Sequence, residues 1–345
     1  MDTLTIRKPD DWHLHFRDGF MLQETVPATS RCFSRAIVMP NLIPPVTTGS
    51  LAESYRQRIE AAIPKGSAFT PLMTIYLTDD TSPAIIADAS KAGVVAAKLY
   101  PAGATTNSAS AVHNLDQMQP VFEAMAHHGM LLLIHGEVTD PDIDIFDREK
   151  VFIERRLIGI VERNPSLKIV LEHITTAEAA QFVLGASDRV AATVTPQHLL
   201  YNRNDLLVGG IRPHNYCLPV LKRNTHQLAL REAVAKGTPK IFLGTDSAPH
   251  ERGKKESACG CAGCYSAWSA LELYAQIFED LGALDYLEGF ASEHGPRFYG
   301  LELNQEKVKL VRESWHVPTE ITLPDQNKIV PFYAGMEVRW KVQEV

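Results

Sequence analysis

Eight short apolar stretches recur along the chain, each followed by a segment with helical periodicity. They are Trp12–His15, Ala36–Met39, Leu72–Leu77, Val94–Leu99, Leu131–His135, Ile169–His173, Val190–Val194 and Ile241–Gly244. Several are apolar at consecutive positions, as strands buried on both faces are. The segments between them carry helix signals. Ser50 with Glu53 reads as a capping box, and Leu51, Tyr55, Ile59 and Ala62 share one face. Ser82-Pro83 reads as a cap followed by proline at the first helical position, with Gly93 closing the turn. Leu115, Met118, Phe122 and Met125 form a stripe ended by Gly129, and Thr175 with Glu178 opens another helix. Leu218 to Ala235 and Trp268 to Leu281 read as two more. Strand and helix alternating eight times predict an α/β fold, a (β/α)8 TIM-like barrel. The competing architecture is an open doubly wound sheet.

We expect one domain over residues 1–345, with a barrel core at about 8–250 and a helical or irregular C-terminal appendage at about 265–345. Composition fits a folded chain: 45% hydrophobic and 22% charged residues rule out global disorder. The net charge is −7 with no basic block, so nucleic acid is not an expected partner. The longest aliphatic run, Met130–Ile134, is far short of the roughly 18 residues of a membrane helix, so no membrane partner is expected. MDTLTIRKPDD carries no apolar signal stretch, and the five cysteines cannot all pair with one another. A cytoplasmic location with free thiols is the expectation.

Polar residues that can do chemistry cluster at the C-terminal ends of these strands, where barrels build active sites. His13 and His15 are two apart in a strand, so both imidazoles are expected on one face, a natural chelate for zinc. The plain alternative is a hydrogen-bonded polar layer. His135, His173 and Asp246 end other strands, and each alone could be an ordinary core or loop residue. Together they share one rim, and barrel closure brings Asp246 beside His13 and His15. Lys98 lies in the otherwise apolar VVAAKLYP, where a buried ammonium is costly. A lowered pKa would let the neutral amine take up carbon dioxide. The resulting carbamate, an N6-carboxylysine, could bridge two metals about 3.5–4 Å apart. A Lys paired with a buried acid, or a Schiff-base Lys, are the alternatives. Arg17, two residues beyond His15, presents a planar fork suited to a carboxylate, unless it only pairs with Asp18.

HLHFRD, MPN, KLYPAGATTN, LIHGEV, EHITT, TPQHL, GTDSAPH and CGCAGC occur in order. Together they closely resemble the amidohydrolase superfamily and, within it, dihydroorotases of the shorter bacterial type (class II). The match runs from near residue 8 to about residue 300. The resemblance implies a cofactor of two zinc ions per subunit, bridged by carboxylated Lys98 and a hydroxide. His13, His15 and Asp246 would hold one ion, and His135 and His173 the other. Arg17, Asn41 and His250 would bind the substrate carboxylate, and backbone groups of Leu218 and Ala262 the ring amide. Thr105 and Thr106 would lie on a loop that closes over the substrate. The implied reaction interconverts N-carbamoyl-L-aspartate and dihydroorotate, with Asp246 as general base and acid, in a homodimer. Other cyclic-amide hydrolases, of hydantoinase or allantoinase type, share the ligands but not KLYPAGATTN. A deaminase of the superfamily generally uses one metal, against which Lys98 argues. A non-catalytic barrel would usually have lost ligands. Cys259, Cys261 and Cys264 supply only three thiols and read as a pocket wall rather than a third zinc site. His127 and His128 suit a helix C-terminus, and His198 and His214 are candidates for supporting contacts.

Overall fold

The computed structural model describes residues 2–105, 108 and 110–343. A short strand, β1 (Thr3–Arg7), precedes eight parallel strands: β2 (Asp10–Leu14), β3 (Arg35–Val38), β4 (Thr70–Tyr76), β5 (Ala96–Leu99), β6 (Leu131–Ile134), β7 (Ile169–Leu171), β8 (Val190–Val194) and β9 (Ile241–Leu243). They pair in sequence order from β2 to β9. The ring closes where Leu14 bridges Ser247 and the Asp246 amide donates to the His13 carbonyl at 2.8 Å. Helices alternate with the strands, and the fold is a (β/α)8 barrel.

Alternation along the strands sorts the core into two layers. Ile37, Ala96, Leu131, Leu133, Val170, Ala191 and Phe242 form an inner cluster with Trp12. Their neighbours Ala36, Val38, Ala97, Leu132, Ile134, Ile169 and Leu171 pack outward in a larger cluster with the helices. Ala96 and Lys98 therefore share the inner face, as do Leu133 and His135.

Several local expectations need correction. The helix after β3 is capped by Thr48, not Ser50: Thr48 accepts from the Leu51 amide, and the helix runs Gly49–Glu60. Gly49 starts it because a Cβ there would lie 2.8 Å from the Ala92 Cβ. Thr176, not Thr175, caps Ala177–Gly185, because the Thr175 hydroxyl donates to Glu149. The expected Leu218–Ala235 helix begins only at Asn224, and residues 218–223 form a loop. Trp268–Leu281 shortens to Ala270–Asp280. Ser82 caps Pro83–Lys91 as read, and Gln119–His128 ends at Gly129 with φ +67, His127 and His128 in its last turn.

The tail is not merely helical or irregular. Its strand β10 (Lys307–Val311) pairs antiparallel with β1 on one side and with Lys341–Gln343 on the other. No helix among the described residues is long and apolar enough to cross a membrane.

At the bottom of the inner cluster, Trp12 is fully buried and stacks on Tyr299, with ring centroids 4.3 Å apart. Gly295, in the helix His294–Tyr299, backs onto that indole, and a Cβ there would lie 1.9 Å from Trp12 Nε1. Gly295→Ala should therefore destabilise the fold by about 1–3 kcal/mol, the usual range for overpacking. Urea unfolding checks this; wild-type stability would contradict it.

Candidate functional site

The rim above this floor gathers the polar residues expected there. His13 and His15 sit at the end of β2, where pairing with β3 shifts register between Asp11 and Leu14. That irregularity lets Trp12 join the inner cluster while its neighbour His13 also turns inward; beyond it Leu14 packs outward and His13 and His15 share the inner side, as their spacing implies. His13 Nε2 lies 3.4 Å, and His15 Nε2 3.1 Å, from Asp246 Oδ1. Ligand atoms of His13, His15 and Asp246 all fall within 4.8 Å of one another. Three donors of that type, converging and buried, fit a zinc ion.

Each imidazole is oriented from behind. His15 Nδ1 is 2.7 Å from Asn41 Oδ1 and His13 Nδ1 is 2.9 Å from Glu172 Oε2. Both contacts leave Nε2 directed at Asp246, the usual way a carboxylate or amide sets the coordinating nitrogen. In His135 the roles reverse: Nε2 is 2.8 Å from Glu137 Oε2, which leaves Nδ1 as the donor. His173 stacks edgewise between His13 and His135, with centroids 4.9 and 4.8 Å away. Its Nδ1 is buried without a hydrogen bond among the described residues, although Thr193 Oγ1 accepts from its backbone amide at 2.7 Å.

Lys98 lies close enough to His13, His15 and His173 to act on their charges. It is fully buried, its Nζ sits 5.2 Å from the centre of the Tyr100 ring, and it has no hydrogen-bond partner among the described residues. Desolvation lowers its pKa to about 8, with Glu172 and Asp246 pulling the other way. Burial likewise drives His15 and His173 well below the ordinary histidine range, so both rings are neutral and able to ligate. The two groups of donors and the orphaned amine between them fit a two-metal centre with a bridging lysine carbamate.

The outer edge is built from loops. Arg17 reaches it by a backbone turn with φ +63, not by the strand alternation expected from its spacing. Its Nε donates to the Pro249 carbonyl at 3.1 Å, and its Nη2 lies 3.0 Å from His250 Nε2. Asp18 pairs with Arg58 rather than with Arg17. His250 Nε2 lies 2.9 Å from the Ala262 carbonyl. Burial and the nearby Arg17 push the His250 pKa down to about 2, so its ring is neutral. Ala262 belongs to the cysteine loop, which Lys255 fastens: its Nζ donates to the carbonyls of Tyr216, Cys261 and Gly263 at 2.7–2.8 Å. Leu218 lies half-buried in the loop before the helix Asn224–Ala235. Thr105 donates its amide to Ser108 Oγ at 3.1 Å. Thr106, the other residue expected on the closing loop, lies outside the described residues. His198 is buried, with Nδ1 against Thr195 Oγ1 and Nε2 against the Pro219 carbonyl; His214 pairs with Glu256.

Residues that sequence reasoning did not single out are the acids behind the rim. Asp11 accepts from the Thr245 amide and hydroxyl at 2.9 and 2.6 Å, directly before Asp246. Glu137 and Glu172 sit beside predicted ligands in LIHGEV and LEHITT. Their adjacency to histidine was the available signal.

Barrel and rim together define a class: a barrel enzyme whose reacting groups stand on the C-terminal edge of a closed parallel sheet. The comparisons agree. The profile of the amidohydrolase family matches residues 11–308. A dihydroorotase of Shewanella woodyi is 71% identical over 343 residues, covering 99% of this chain and 100% of that protein. A dihydroorotase of Marinomonas sp. is 68% identical over the same length, covering 99% of this chain and 100% of that one. The crystal structure of Saccharomyces cerevisiae dihydroorotase in complex with 5-fluoroorotic acid superposes with a TM-score of 0.92, at 34% identity and 99% coverage of both chains. That of Campylobacter jejuni dihydroorotase gives 0.92 at 32% identity, covering 100% of this chain and 98% of that one. The chain belongs to the amidohydrolase family, among its dihydroorotases, and is a hydrolase acting on cyclic amides.

Proposed function

We propose that this chain interconverts N-carbamoyl-L-aspartate and dihydroorotate, one step of pyrimidine biosynthesis, with two zinc ions per chain. His13, His15 and Asp246 would hold one ion, His135 and His173 the other, and Lys98, as its carbamate, both. The observation that carries this reading is Lys98 itself: a fully buried amine with no hydrogen-bond partner among the described residues, close enough to His13, His15 and His173 to act on their charges. Bound there, the two ions would supply a water of lowered pKa and a Lewis acid for the ring carbonyl.

The chain's own groups do the rest. Asp246 takes a proton from the attacking water and passes it to the departing ring nitrogen, one acid/base group acting twice in sequence. Burial raises its pKa, which helps it hold that proton between the two transfers. Ring closure runs the same transfers backwards. The guanidinium of Arg17, steadied through Nε by the Pro249 carbonyl, binds the substrate carboxylate with Asn41 and His250. Backbone groups of Leu218 and Ala262 take the ring amide. Thr105 closes over the bound substrate and helps exclude water. By family resemblance the proposal extends to a cytoplasmic homodimer.

Arg17→Met keeps bulk and removes the charge. A hydrogen bond to a charged group contributes about 1.5–3 kcal/mol, so kcat/KM on dihydroorotate should fall roughly 10- to 150-fold. Zinc content should stay at the wild-type value. Loss of zinc instead would give Arg17 a different role.

The lowered pKa of Lys98 sets a pH dependence. Its neutral amine, the form that reacts with carbon dioxide, grows as pH rises through about 8. Metal-free protein reconstituted with zinc and 13C-labelled carbon dioxide, at fixed dissolved gas, should acquire a carbamate resonance faster above that pH than below it. Lys98→Ala should show none. A wild-type protein without the resonance at any pH would contradict the bridge.

A further inference from the structure

His173 is held in an unusual way. Strand β7 ends at Leu171, and His173 has φ +41, a conformation that a residue with a Cβ rarely adopts. Such a residue carries on the order of 1–3 kcal/mol of strain and persists only where its surroundings over-determine it. Two anchors bracket it. Upstream, Thr193 on the next strand accepts from the His173 amide, and its own hydroxyl donates to Glu172 at 2.5 Å. Downstream, one side chain gathers the next donors. Glu149, in the short helix Arg148–Phe152 of the β6–β7 connection, is buried to 1% exposure. Its Oε1 accepts from the Thr176 amide at 2.8 Å and the Thr176 hydroxyl at 2.5 Å, and its Oε2 from the Thr175 hydroxyl at 2.9 Å. The Thr175 amide is shared between both oxygens, at 3.1 and 3.0 Å.

We propose that Glu149 is a positioning residue: its carboxylate clamps Thr175 and Thr176 and thereby keeps the His173 ring aimed at the second metal. The inference rests on the two-metal reading above. Four donors converge on two oxygens, and an ionised carboxylate is the side chain that offers only acceptors. Burial raises the Glu149 pKa, and the buried Lys222 together with the Thr175 and Thr176 donors works against that rise in favour of the carboxylate. The Thr176 hydroxyl is fixed from the other side as well, since it accepts from the Ala179 amide at 3.1 Å and caps the following helix. Glutamine in this place would aim an NH2 group at N–H or O–H donors at one end of the clamp. The segment would move away, the turn at His173 would relax, and its ring would leave the site. Glu149 touches none of the proposed ligands, and Glu172, which orients His13, is held separately by the Thr193 hydroxyl, so the effect of Glu149 falls on the His135–His173 side.

The test is zinc affinity, read by competition with a chromophoric chelator and by elemental analysis. The wild type should hold two zinc ions. Glu149→Gln should keep one at wild-type affinity and bind the other 10- to 100-fold more weakly, the usual range for residues that orient a ligand. In a His173→Ala background the same substitution should leave the remaining zinc untouched, because the group it acts through is gone. Two sites of wild-type affinity in Glu149→Gln would overturn the inference, and so would weakening in the His173→Ala background, which marks a general structural role. If Glu149→Gln fails to fold, Thr175→Val removes one donor and leaves the charge. It should show the same one-sided weakening in smaller degree, and wild-type affinity there would overturn the clamp. A wild-type chain with a single zinc would overturn the two-metal reading, and the inference with it.

Discussion

A primary amine without a hydrogen bond among the described residues, sealed inside the barrel, is the constraint on which the rest of the site depends. An ammonium in so dry a place is expensive, and for Lys98 the face of the Tyr100 ring, 5.2 Å away, offsets little of the cost. Desolvation moves the balance toward the neutral amine. Neutral amine, neutral imidazoles and buried acids then form one system: each is intelligible as part of a charge-balanced centre, and each is anomalous alone. The inner strand face carries Lys98 above Ala96 and His135 above Leu133, so the packed floor and the reactive rim are one continuous alternation.

Three residues of the site, Arg17, His173 and Asp246, have positive φ. Each departs from regular strand geometry where its side chain must swing into the mouth, and each is held by a specific neighbour. Tyr55 donates its hydroxyl to the Arg17 carbonyl, Thr193 and Glu149 bracket His173, and Asp11 grips Thr245 beside Asp246. Strain is thus concentrated at the functional edge and contained by buried polar groups reaching from neighbouring elements. The stability of the floor, where Trp12 meets Tyr299 and Gly295, supports that edge from below.

Much of this was legible in the sequence. All eight barrel strands follow from apolar runs, and the candidate residues from the runs that finish in His15, His135 and His173, enclose Lys98, or stop just short of Asp246. What escaped is long-range. Strand β1 pairs with β10 some 300 residues away, and nothing local in TLTIR announces its partner. Thr48 and Ser50, like Thr176 and Thr175, are equally plausible caps; packing at Gly49 and the pull of Glu149 decide between them. Asn41 was assigned to substrate, but its hydrogen bond to His15 gives it an orienting part as well. The supporting acids are common residues in ordinary positions until folding places them behind a ring.

The chemistry of the site turns on what Lys98 carries and what it touches, and electron density from crystals grown with zinc tests that directly. It should show three extra atoms on Nζ and two anomalous peaks about 3.5–4 Å apart, one against His13, His15 and Asp246 and the other against His135 and His173. A bare Nζ, or a single peak at full zinc loading, would contradict it.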